Sequence, residues 1–97
     1  MKSIFIMAYF VYILLSKKDY QLYTGSTNNI KQRLTKHNNG EVKATRHRRP
    51  LQLIYQERYK TKYEAHKREY FLKTKWGNTV KQRIRKHYVE RIQQSKS

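Results

Sequence analysis

Arg33 and His37 stand four residues apart in a stretch where Ile30, Arg33, Leu34 and His37 recur at helical spacing. Residues at i and i+4 project from one helix face, so a guanidinium and an imidazole are presented side by side. Upstream, Tyr12 and Tyr23 each lie in a short run of β-forming residues. These types suit phosphodiester hydrolysis. That reaction needs an activated water, neutralisation of the charge growing on phosphorus, stabilisation of the leaving oxygen, and a held backbone. A guanidinium stays charged and grips two phosphate oxygens at once. A tyrosine is a poor base unless nearby cations lower its pKa, and this chain is rich in cations. Each residue also has a plainer reading. Arg33 reads as a solvated charge, the tyrosines as ordinary strand residues, and His37 as a surface group at a helix C-terminus, where positive charge is welcome.

The elements that must position these groups follow from the residue pattern. Residues 9–15 read as a buried strand and residues 20–25 as its hairpin partner, across a polar break at residues 16–19. Gly25 is expected to allow a tight turn and a close backbone approach. Asn28 or Asn29 caps a helix over residues 30–38, which ends at Asn39-Gly40. Residues 41–50 form a basic loop with at most a short helical turn, closed by Pro50. Residues 51–55 begin a third strand that reaches about Arg58. Thr61 and Glu64 have capping-box spacing before a second helix, residues 62 to about 75. Its inner face is expected to carry Ala65, Arg68 or Glu69, and Leu72 with Trp76. Gly77-Asn78 is expected to break that helix, and Asn78 or Thr79 to cap a third over residues 80–93. There Val80, Ile84, Tyr88 and Ile92 form one apolar stripe. The order β-β-α-β-α-α gives a small α+β domain, an antiparallel sheet with helices packed on it.

Composition bounds the partner. The 97 residues carry 23 Lys+Arg against 6 Asp+Glu, a formal charge of +17. Such a field disfavours the compact state through self-repulsion and draws polyanions. Nucleic acid, DNA or RNA, is the first candidate and an anionic membrane the second. The cations interleave with 9 tyrosines along the whole chain, which favours a folded basic surface over a disordered arm. Without cysteine, disulfides and Cys-based zinc sites are excluded. The apolar run from Ile4 to Leu15 is too short to span a bilayer and lacks a small-residue cleavage site, so the cytoplasm is the expected compartment and no membrane role is expected. Residues 8–94 are read as the domain, with 1–7 an N-terminal extension, Met7 an alternative start, and 95–97 a frayed tail.

The stretch from Phe10 to Gly40 resembles the GIY-YIG nuclease family. Val11-Tyr12-Ile13 stands for its first triplet and Tyr23-Thr24-Gly25 for its second, with Arg33 and His37 following on the helix. The resemblance extends over roughly residues 8 to 80 and is strongest to small stand-alone members. It implies a three-stranded antiparallel sheet flanked by helices and a metal-dependent endonuclease using Mg²⁺ or Mn²⁺. Arg33 then holds the scissile phosphate, one of Tyr12 and Tyr23 activates or positions the water, and His37 assists. The segment of residues 64–69 resembles the family's helix after the third strand, whose second glutamate makes Glu69 the metal ligand; Glu64 is the rival and fits better as a cap. One carboxylate suffices, because magnesium keeps waters and takes phosphate oxygens. The plain alternative for Glu69 is a helix salt bridge, worth little. Lys43, Arg46, Arg48 and Arg49 in the loop, with Lys81 and Arg85 on the third helix, are the expected nucleic-acid contacts, giving salt-sensitive binding of low sequence specificity. The sequence departs from the family pattern at Val11, where the family has glycine, at Ser26, where some relatives carry lysine, and in a late asparagine that has no secure match, Asn78 being a weak candidate. A binding module without catalysis is the competing reading; repair and recombination are the candidate settings for a nuclease.

Overall fold

The computed structural model describes residues 8–95; the expected extension at residues 1–7, the start at Met7 and the last two residues of the expected tail lie outside them. The fold is α+β. Strands β1 (Tyr9–Ser16), β2 (Leu22–Thr27) and β3 (Leu51–Tyr59) form one sheet in the order β2-β1-β3. Both pairings are antiparallel, with Tyr12 opposite Gly25 on one side and Gln56 on the other. As the central strand, β1 is covered on both faces, which explains its unbroken apolar run. Val11, Ile13 and Leu15 pack on Ala65, Leu72 and Tyr88. Tyr12 and Leu14 face the other way, towards Ile30 and Leu34.

Helix α1 (Ile30–Asn38) therefore covers one face, capped by Asn29, whose side chain accepts from the backbone N–H of Gln32 at 3.0 Å. Helices α2 (Lys62–Leu72) and α3 (Lys75–Ser95) cover the other. The Thr61–Glu64 capping box at the start of α2 is present in both directions. The expected stripe Val80, Ile84, Tyr88 and Ile92 on α3 packs into the core as read.

Three local expectations are corrected. The residues joining β1 to β2 reach Tyr20, which takes a left-handed φ of 59°, so β2 starts at Leu22 and runs two residues past Gly25. Gly25 is thus a strand residue, and its value lies in space: a Cβ there would sit 2.5 Å from Oη of Tyr12. Gly77-Asn78 does not break a helix. The break falls at Lys73-Thr74, and Gly77 is buried inside α3 because a Cβ would meet the Phe71 carbonyl oxygen at 2.1 Å. Only glycine lets the first turn of α3 pass this close to the last turn of α2. Thr74 completes the corner, donating to the Phe71 carbonyl and accepting from Gly77 N–H. Trp76 accordingly stands on α3 at 77% exposure, not on the inner face of α2.

A buried-side ion pair fixes α2 on the sheet. Arg68 donates twice to Glu57 of β3, both at 3.0 Å, and Glu57 also accepts from the hydroxyls of Tyr55 and Tyr59. Bidentate charge-assisted pairing of this kind sets orientation as well as energy, so the residue after Arg68 has a defined direction.

Candidate active site

The alternation of β1 and the register with β2 put Tyr12, Tyr23 and Gly25 on the same face, under α1. His37 closes the group from α1. Its ring lies edge-on to both tyrosines, with centroids 5.8 Å from Tyr12 and 5.0 Å from Tyr23. It is fully buried, which removes the surface-histidine reading. Its Nε2 is 3.0 Å from Oη of Tyr12 and its Nδ1 is 2.7 Å from Oγ1 of Thr45. One helical turn earlier, Nε of Arg33 donates to the same Tyr12 hydroxyl at 3.4 Å.

Glu69 enters from α2, beyond the β2 edge. Its Oε1 accepts from Ser26 Oγ at 2.6 Å and its Oε2 pairs with Lys73 Nζ at 2.7 Å. The residue following Gly25 in the strand thus reaches the opposite face and ties the carboxylate to the sheet. The result is an open cleft of about 470 Å³ lined by Tyr12, Tyr23, Gly25, Ser26, Arg33, His66, Glu69, Tyr70 and Lys73. Four of the five residues expected to do chemistry line it, and His37 stands directly behind Tyr12.

The electrostatics follow from burial and charge. Burial, then the neighbouring Arg33 cation, push the His37 pKa down to about 4, so the imidazole is neutral in ordinary buffers. Burial raises Tyr12 despite the Arg33 hydrogen bond, so its hydroxyl keeps its proton in the free protein. The bond to Tyr12 in turn holds Arg33 above its ordinary value. At Glu69 burial acts upward, but the hydrogen bonds from Lys73 and Ser26 outweigh it and the carboxylate stays ionised.

The basic residues are placed differently from one another. Arg48 is turned inward, pairing with Asp19 at 3.3 Å and donating to the Leu22 carbonyl, so it braces the strand connection. Arg49 donates to the Arg46 carbonyl at 2.8 Å. Arg46 and Arg49 line a separate groove with Lys18, Asn38, His47 and Pro50, and Lys43 is exposed on the same loop. Arg85 donates to the Tyr20 carbonyl. Lys81 is held below its ordinary pKa by burial and by the charge of Lys73. None of these six lines the cleft itself. Asn78, the weak candidate for a late family asparagine, accepts from Gln82 on α3 and is not among the cleft residues either.

Comparison with known proteins decides the family. The model of the GIY-YIG catalytic domain matches residues 8–79. The chain belongs to the GIY-YIG family. It is 52% identical over 62 residues to a UPF0213 protein of Staphylococcus saprophyticus, covering 63% of this chain and 74% of that one. A UPF0213 protein of Staphylococcus aureus is 50% identical over 63 residues, 64% of this chain and 76% of the relative. Among solved structures, the solution NMR structure of a UPF0213 protein from Bacillus halodurans is 35% identical, with a TM-score of 0.48, covering 76% of this chain and 81% of that one.

Whether this GIY-YIG cleft suits a metal turns on Glu69. No group of three or more His, Cys, Asp or Glu is poised for a metal among the described residues. A hard cation that takes one carboxylate and fills its shell with water and phosphate oxygens still fits, because each Glu69 oxygen keeps a further lone pair beside its present partner. Residues with no part in the site expected from sequence are Thr45, Ser26, His66, Tyr70 and Lys73. Lys73 alone carried a signal, its i+4 spacing from Glu69. No helix among the described residues is long and apolar enough to cross a membrane.

Proposed function

We propose that the protein is a metal-dependent endonuclease that hydrolyses phosphodiester bonds in DNA with low sequence specificity. The observation that carries this is the convergence of Tyr12, Arg33 and Glu69, drawn from a strand and two helices on opposite faces of the sheet, onto one open cleft, with His37 bonded to Tyr12 from behind. Structural need alone does not account for it: a core would not turn an arginine and a glutamate into a solvent-open hollow beside two tyrosines.

Each residue has a role that its surroundings support. Arg33 faces the cleft and neutralises charge on the scissile phosphate, where a fixed donor is worth most. Tyr12 and Tyr23 flank the place of the attacking water, and His37 holds the Tyr12 hydroxyl. Glu69 would hold Mg²⁺ or Mn²⁺, which when bound supplies Lewis-acid stabilisation of the phosphate and leaving oxygen. Lys73 must release one carboxylate oxygen or share it for that to happen. Lys43, Arg46, Arg49, Lys81 and Arg85 contribute phosphate contacts away from the cleft, whereas Arg48, already paired with Asp19, contributes less. Cation–phosphate contacts carry no base identity, hence the low specificity. Work in DNA repair or recombination inside the cytoplasm is consistent with such an activity.

A second reading, a nucleic-acid-binding module of DNA or RNA without turnover, draws on the +17 charge. Cleavage of supercoiled and single-stranded DNA with Mg²⁺, Mn²⁺ or EDTA, for wild type and Glu69→Ala, separates the two. The endonuclease reading expects cleavage with metal only and its loss in Glu69→Ala. Cleavage in EDTA, or an undiminished Glu69→Ala variant, contradicts it.

A further inference from the structure

The nuclease reading leaves His37 as a helper of undefined kind, and Thr45 has no role in it. We propose that Thr45 is a positioning residue: its hydroxyl donates to Nδ1 of His37 and thereby fixes the tautomer that offers Nε2–H to the Tyr12 hydroxyl. The inference rests on the roles given above to Tyr12 and His37, but its structural half stands on hydrogen-bond accounting alone.

Thr45 is fully buried. It lies where the basic loop tightens into the 3-10 turn Arg46–Arg48. Its own N–H donates to Val42 and its carbonyl accepts from Arg48 N–H at 2.8 Å, so its backbone is held from both sides. Among the described residues its hydroxyl makes one hydrogen bond, the 2.7 Å contact to His37 Nδ1. A hydroxyl has one proton to give and two lone pairs to offer. If Thr45 accepted from Nδ1–H, its own proton would be buried with no acceptor, an arrangement that native structures avoid more strictly than an unused lone pair. Donation satisfies the proton.

The consequence passes through the ring. A neutral imidazole that accepts at one nitrogen carries its proton on the other. His37 is neutral, buried and beside the Arg33 cation, so Nε2–H points to the Tyr12 oxygen 3.0 Å away. Nε of Arg33 donates to that same oxygen. With both lone pairs engaged, the Tyr12 proton must point elsewhere, and the open side is the cleft with Glu69 across it. His37 therefore does not collect the Tyr12 proton: one of its nitrogens is already protonated and the other is occupied by Thr45. It is a fixed donor, and Tyr12 is the tyrosine whose proton faces substrate. A phenolate formed at Tyr12 would keep two donors without any reorganisation, which is the condition under which preorganised dipoles act most strongly.

The experiment is long-range ¹H–¹⁵N NMR of the histidine side chains in the labelled full chain at neutral pH, with wild type, Thr45→Ser and Thr45→Val. The His37 signals are assigned by their absence in His37→Gln. Wild type and Thr45→Ser are expected to show a protonated-type Nε2 and an unprotonated-type, hydrogen-bonded Nδ1; Thr45→Val is expected to shift the Nδ1 signal to that of an unprotonated nitrogen without a hydrogen-bond donor. Single-turnover cleavage, measured beside it, is expected to fall about tenfold in Thr45→Val, the scale of one hydrogen bond, with DNA affinity unchanged, and to be restored in Thr45→Ser. A protonated Nδ1 in wild type overturns the proposal, even if Thr45→Val fails to fold. So does a Thr45→Val protein that keeps the wild-type Nδ1 shift or cleaves at the wild-type rate. Absence of cleavage by wild type on every substrate would sink the nuclease reading instead, and the NMR result would still decide the tautomer.

Discussion

Gly25→Ala is the substitution whose effect follows most directly from the geometry. The added Cβ would lie 2.5 Å from Oη, 2.6 Å from Cζ and 3.0 Å from Cε2 of Tyr12. Tyr12 is only 2% exposed and is held by His37 and Arg33, so its ring has no free direction. To reach ordinary contact it must move on the order of 1 Å, which takes the hydroxyl out of line with both donors. Overpacking of this kind costs ~1–3 kcal/mol, and a lost buried hydrogen bond adds ~1 kcal/mol. Gly25→Ala is therefore expected to unfold in urea with a stability lower by about 2–4 kcal/mol. If Tyr12 is the group at the water, a displacement of about 1 Å also lowers cleavage by roughly 100-fold. A double-mutant cycle isolates the cause. In a Tyr12→Ala background the hollow accepts the new methyl, and Gly25→Ala should cost no more than about 0.5 kcal/mol. An equal cost in both backgrounds would refute the reasoning, because the penalty would then belong to the strand and not to the tyrosine.

Two further outcomes concern stability. Gly77→Ala puts a Cβ 2.1 Å from the Phe71 carbonyl oxygen and 2.5 Å from Leu72 Cα; since backbone must yield, a loss of about 3 kcal/mol or more is expected in urea unfolding, against under 1 kcal/mol for Asn78→Ala. His37 gives a pH signature. Its pKa of about 4 in the fold lies below the ordinary 6.5, so at intermediate pH the unfolded chain binds a proton that the folded one refuses. Its contribution is complete above pH 6.5 and is lost as pH falls towards 4, about 3 kcal/mol in all. Unfolding measured at pH 7 and pH 4.7 should show most of that loss in wild type and little in His37→Gln. Asp19, Glu57 and Glu69, held below the usual carboxylate range, add a loss of their own as pH falls through the ordinary carboxylate values, and the His37→Gln comparison subtracts that common part.

Much of this was legible in the residues. The apolar run of β1, the Thr61–Glu64 box and the stripe on α3 are local signals, and local signals survive into the fold. Spacing also carried Arg33 and His37 to one helix face, and the resemblance of the two triplets set Tyr12 and Tyr23 beside them. What escaped has a common physical origin. Gly77 read as a helix breaker because glycine is a poor helix former; its actual reason is the close approach of the Phe71 carbonyl, a tertiary fact. Gly25 read as a tight turn because glycine tolerates backbone conformations that other residues avoid, and serves instead to admit Tyr12. Thr45 carried no signal of its role: one threonine at the head of a basic segment becomes the partner of His37 only once the loop folds under α1. Ser26 likewise meets Glu69 across 43 residues of sequence. Long-range side-chain partners of this type leave no period or motif behind.

The central claim is that the cleft does chemistry and does not merely hold nucleic acid. The most direct measurement pairs DNA binding with single-turnover cleavage for Arg33→Ala beside wild type, with Mg²⁺ or Mn²⁺ present. The account predicts that Arg33→Ala binds DNA within a few-fold of wild type, since one cation among 23 is removed, and that its cleavage falls by at least about 100-fold, the scale of a lost transition-state donor. Cleavage that falls only in proportion to binding, or not at all, would contradict it and leave the cleft a binding surface.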